Sequence, residues 1–171
     1  ILALLLWVAI GALGAPRDGS KLGVSRVLAL FLIACVFMQA MFGALMAGAD
    51  GGPAYADWPR IGGEWIPSSA FGLEPIWHNF TEDHATQHLV HRTFGYVVAL
   101  LALVIGGYAL ARGQGAARIA GSLVGAVALV QVLLGVLTVL AASPLSLSLM
   151  HQAGAVALWI AAVTSARLAW R

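Results

Sequence analysis

Charge is what this sequence has least of. Of its 171 residues only 9% are charged, nine basic and seven acidic, where soluble domains carry about 25%. With 61% hydrophobic residues and a mean hydropathy of +0.91, an ordinary soluble domain is excluded. Nine scattered cations make no nucleic-acid-binding face, so the pI of about 9.1 describes the loops. Cysteine is reduced to Cys35, inside an apolar run, which excludes an internal disulfide and leaves the redox compartment unread. An initiating Met is missing too, as is any basic run ahead of the first apolar stretch. That stretch, ILALLLWVAIGALG, is about 14 residues against the roughly 20 of a spanning helix, and reads as the end of a truncated helix (residues 1–15) rather than a signal peptide.

What is present is apolar and segmented. Four runs, at about 24–49, 89–111, 119–142 and 147–170, are each long enough to cross a hydrocarbon core about 30 Å thick. Turn residues separate them at Ala15–Gly19, Arg112–Gly115 and Ala142–Pro144. The expected fold is all-α and transmembrane: a four-helix bundle over residues 16–171, with a long loop at about 50–88. Arg17, Lys21, Arg26, Arg112, Arg118, Arg167 and Arg171 fall at one end of the runs, and only Arg60 and Arg92 at the other. The basic bias predicts a cytoplasmic C-terminus and an external 50–88 loop. That loop holds Trp58, Trp65 and Trp77, which read as an interfacial aromatic belt.

The chain repeats itself. QAMFGALMAG from Gln39 and QVLLGVLTVL from Gln131 share Gln-x-x-x-Gly-x-Leu at an offset of 92, and Arg26 and Arg118 precede them at the same offset. Each copy is followed by a helix opening on histidine, His91 in HRTFGYVVAL and His151 in HQAGAVALWI. The bundle therefore reads as two repeated Gln-helix/His-helix hairpins running in the same direction.

Depth brings the two histidines together. His91 precedes Arg112 by 21 residues, and His151 precedes Arg167 and Arg171 by 16 and 20. Those spacings are about 31 Å and about 24–30 Å of helix, so both rings are expected at one level. Two neutral imidazoles at one height on facing helices can supply both axial nitrogens to one haem iron. Each could instead make an interhelical hydrogen bond of about 0.6–2 kcal/mol. Gln39 and Gln131 fit packing or a cofactor-edge hydrogen bond better than catalysis. Gly43, Gly135 and the Gly121/Gly125 pair allow either close helix approach or a flat macrocycle against a helix.

His84 and His88 share a helical face with His91. Their spacing permits zinc, but His84-Ala-Thr-Gln-His88 lacks the His-Glu-x-x-His pattern. They are expected on a solvated amphipathic helix at the interface, about one turn (His88) and two turns (His84) above the iron-binding level. Arg92 is expected either to pair with a haem propionate or to snorkel to the headgroups.

GALMAGADGGPAYADWPRIGGEWIPS (Gly43–Ser68), NFTEDHATQHLVHRTFGY (Asn79–Tyr96) and QVLLGVLTVL…LSLMHQ together resemble the haem A synthase family. The resemblance covers nearly the whole chain. It implies the C-terminal half of an eight-helix protein, in the inner membrane of a bacterium, that oxidises the methyl group of haem O to the formyl group of haem A. It also implies a haem B in this half, held by axial ligands matching His91 and His151, with the substrate mainly in the other half. Catalytic residues stay unassigned. The Cys pair of many bacterial members is absent, which places the chain with the Cys-free branch. A haem O synthase or a second copy of the protein are the partners this implies, besides the bilayer. The rival readings are a b-type electron-transfer cytochrome and a non-catalytic assembly subunit. A two-haem wire would need a second His pair at the other membrane face, and none is there.

Overall fold

The computed structural model describes residues 1–12 and 26–169. The Ala15–Gly19 turn, with Arg17 and Lys21, and the final Trp170 and Arg171 lie outside the described residues. The helices are α1 (Leu2–Ala12), α2 (Arg26–Gly48), α3 (His78–Thr81), α4 (His84–Arg112), α5 (Gly115–Leu140) and α6 (Leu145–Ala169). Four of them, α2, α4, α5 and α6, are long and apolar enough to cross a membrane. They close a ring in which α2 packs on α4 and α6, and α5 packs on the same two, while α1 lies against α6. The interior is made of small and branched side chains such as Leu32, Val98, Ala102, Val124, Ala128 and Ala162. Leu100, Val104, Ile119 and Leu133 face outward, as they must where lipid replaces water.

Helix ends follow local chemistry. α4 starts at His84, five residues before the Leu89 that hydropathy alone suggests, because Asp83 caps it. The Asp83 carboxylate accepts from the backbone N–H of Ala85 (3.0 Å) and Thr86 (3.2 Å). At the other end Arg112 sits in the last turn, where a cation suits the helix dipole. α5 and α6 are joined by Ala141–Pro144 alone. α2 and α4 are joined by the ordered loop 49–83.

Two glycines let α4 and α5 touch. A Cβ at Gly106 would stand 2.7 Å from Gly125 Cα, so backbone meets backbone there. Gly125 thus serves close helix approach, whereas Gly43 and Gly135 lie against imidazoles.

Candidate functional site

His91 is seven residues into α4 and His151 six into α6, while Gly43 and Gly135 are each five residues from the ends of α2 and α5. Equal depth on four neighbouring helices makes the residues converge. The His91 and His151 rings stand 6.5 Å apart, centre to centre, with their planes at 84°.

Each histidine is held by the same frame. Gln39 Nε2 donates to the backbone carbonyl of His91 at 3.0 Å, and Gln131 Nε2 donates to that of His151 at 3.0 Å. One turn beyond each glutamine a glycine offers bare backbone to the ring. A Cβ at Gly43 would lie 3.0 Å from His91 Cε1, and one at Gly135 3.2 Å from His151 Cε1. Each glutamine in turn lies over a glycine of the histidine helix, Gln39 over Gly95 and Gln131 over Gly154. The two helices of each hairpin are cross-braced, side chain to bare backbone in both directions.

The donor set suits a metal with axial ligands. A ligating imidazole nitrogen lies about 2 Å from its metal and a ring centre about 1 Å beyond, so rings on opposite sides of one ion stand about 6 Å apart. The observed separation matches. His151 Nδ1, Gln39 Oε1 and Gln131 Oε1 are buried without hydrogen-bond partners, an uncommon state for buried polar atoms. Among the described residues no group of three or more His, Cys, Asp or Glu side chains could hold a metal ion, so His84 and His88 have no zinc site around them.

His88 departs from expectation. It is not solvated: it is 1% exposed and joins the loop to α4. Its Nε2 pairs with the Gly51 carbonyl at 2.8 Å, and its Nδ1 faces Arg92 Nη2 at 2.9 Å. Both ring nitrogens are therefore committed. His84 contacts Gln87 Oε1 through Nδ1 at 3.1 Å.

Arg92 is held by the loop. Nη1 donates to the carbonyls of Asp57 (2.8 Å) and Arg60 (2.9 Å), and Nη2 donates to that of Tyr55 (3.1 Å) as well as to His88. A guanidinium has five N–H donors, and only Nε, buried and unpaired, is left. Asp57 shapes the same strap by accepting from the N–H groups of Gly62 (2.9 Å) and Gly63 (2.8 Å). The Gly63 bond is the main reason its carboxyl sits below the usual carboxylate range. Trp58, in this strap, donates from its Nε1 to Tyr96 Oη at 3.0 Å. The sequence reading missed this clamp. The one mark it leaves in the sequence is that His88 and Arg92 stand one helical turn apart.

Arg92→Leu should free the loop. It removes charge-assisted bonds of about 1.5–3 kcal/mol each, so amide exchange over residues 51–63 should quicken by at least about tenfold. Exchange at wild-type rates would show that the loop holds without the guanidinium.

Taken together, the ring of long apolar helices and the half-buried pair of imidazoles define a multi-pass membrane protein with a paired-histidine site near one face. The chain belongs to the COX15-CtaA family of cytochrome oxidase assembly proteins, whose model matches residues 1–163. It is 38% identical over 144 residues to the heme A synthase of Roseobacter denitrificans, covering 84% of this chain and 37% of that protein. It is 38% identical over 178 residues to the heme A synthase of Caulobacter vibrioides, covering 100% and 49%. Yeast heme A synthase COX15 (Saccharomyces cerevisiae) is 36% identical over 156 residues, covering 82% and 32%. The chain thus spans less than half the length of these curated relatives. No solved structure matches it.

Proposed function

We propose that this chain carries the haem B site of a haem A synthase, with His91 and His151 as the axial ligands. The observation that carries the reading is the pair of imidazoles 6.5 Å apart, each set in the same glutamine–glycine frame. Bound there, a haem supplies one-electron redox chemistry at its iron. The protein's own residues hold the rings, and Arg92 keeps Nε as a donor for a propionate. The substrate is haem O, whose methyl group is oxidised to the formyl group of haem A. The test has two parts. Purified protein given haem B should show a low-spin spectrum, and membranes containing the protein should convert added haem O to haem A, read by chromatography of extracted haems. A low-spin spectrum without conversion would favour an electron-transfer cytochrome. Absence of both would favour an assembly role.

The membrane orientation follows from the basic residues, with residues 50–83 external and Gly113–Gln114 cytoplasmic. Ser69 and Gln114 are both exposed, and Cys35 is buried in the core. Cysteines placed at 69 and 114 should therefore label from opposite sides of intact cells. Equal labelling of the two positions would refute this orientation.

A further inference from the structure

The braces leave an atom unused in each hairpin. Gln39 Nε2 and Gln131 Nε2 are bonded to histidine carbonyls, yet both Oε1 atoms are buried and unpaired. A packing role needs no such orphan twice over, since an unsatisfied buried acceptor is costly.

A neutral imidazole has one N–H. When Nε2 binds a metal, Nδ1 keeps the proton and needs an acceptor, and metal-bound histidines nearly always have one. Around these two rings acceptors are scarce. His151 Nδ1 has no partner, and the neighbour of His91 Nδ1 is Gln39 Nε2 at 3.2 Å, itself a donor. The same Gln39 Nε2 also stands 3.4 Å from His91 Nε2, so one amide donor faces both ring nitrogens. A ring whose Nε2 is taken by a metal needs the other end of that carboxamide, its oxygen, beside Nδ1.

We propose that Gln39 and Gln131 are positioning residues whose side-chain oxygens accept Nδ1–H from His91 and His151 when those rings bind haem iron through Nε2. This rests on the haem reading above. Turning the last side-chain torsion of Gln39 puts Oε1 where Nε2 now stands, 3.2 Å from His91 Nδ1, and that torsion is broad and soft for glutamine. Gln131, bonded to the His151 carbonyl, must also shift toward the unpartnered His151 Nδ1. The histidine carbonyl released by the turn keeps its helical N–H partner four residues on. Space for the turn comes from Gly95 and Gly154: a Cβ at 95 would stand 3.0 Å from Gln39 Nε2, and at 154 it would fall on Gln131 Oε1.

The experiment reads affinity and midpoint potential of haem B bound to the purified protein. Gln39→Leu and Gln131→Leu should each weaken haem binding about 10–100-fold. They should also raise the midpoint potential, because a ring that loses its acceptor is a weaker base and favours ferric iron less. Gln39→Glu and Gln131→Glu keep an oxygen acceptor, so affinity should stay near wild type and the midpoint should fall. If a leucine variant fails to fold, its glutamate counterpart decides: a lowered midpoint supports the proposal and an unchanged one overturns it. Unchanged midpoints in variants that still bind haem, even with weaker binding or lower thermal stability, reduce the glutamines to packing and overturn this proposal alone. A wild-type protein that takes up no low-spin haem overturns the haem reading, and this proposal with it.

Discussion

His91→Ala and His151→Ala should each abolish the low-spin haem spectrum, while His84→Ala leaves it intact. The two target rings lie 6.5 Å apart, centre to centre. Removing one leaves a single axial nitrogen, which cannot hold a six-coordinate iron. His88 is the nearest other imidazole on α4, but its nitrogens are paired with Gly51 and Arg92. Its loss should disturb the strap rather than the ligand set. Haem content and the low-spin bands, measured on all four alanine variants, decide it. A His91→Ala protein that keeps those bands, beside a His88→Ala protein that loses them, would move the ligand up one turn and sink the assignment.

Gly106→Val should be the most damaging apolar substitution in the bundle, and Gly107→Val should be nearly silent. At 106 a Cβ would stand 2.7 Å from Gly125 Cα and 2.8 Å from Gly125 N, and neither backbone atom can turn aside. α4 and α5 must separate to admit it, breaking their packing at a cost of about 1–3 kcal/mol or more. At 107 nothing lies within 4 Å. Thermal denaturation of the two variants in detergent gives the comparison. Similar midpoints would show that the helices do not meet at Gly106. The pair is informative because both changes add the same β-branched residue to the middle of one helix, so the propensity cost is shared.

The helices were legible in the sequence because hydropathy over some twenty residues is a strong signal. The pairing of His91 with His151 was legible for a related reason: rise per residue turns position into depth, and two depths counted from flanking arginines agreed. What counting could not reach was direction. Whether Gly43 faced a neighbouring backbone or a ring depended on the rotation of α2, which an almost uniformly apolar helix does not reveal. Gly125 and Gly43 look alike in the sequence, yet one touches Gly106 and the other the His91 ring. The clamp failed to appear for another reason. Tyr55, Asp57 and Arg60 hold Arg92 by backbone carbonyls, which every residue has. A site built from main-chain atoms leaves little mark on side-chain identity. The burial of His88 follows from the same loop, since Gly51 reaches it across 37 residues.

The two braces point the same way and differ little, so as a pair they have nearly the symmetry of a half turn. A frame of that kind cannot tell a flat guest from the same guest flipped over, because each face would meet an equivalent imidazole. An unsymmetrical porphyrin is a different object after flipping, with its substituents exchanged left for right. The choice between the two poses must therefore come from parts present in one copy. Arg92 follows His91, whereas Gln152 follows His151, and the strap from Gly51 to Gly63 has no counterpart in the short Ala141–Pro144 turn. On the proposed haem reading, handedness of loading would thus fall to the strap and its arginine, and the two imidazoles would be indifferent to it.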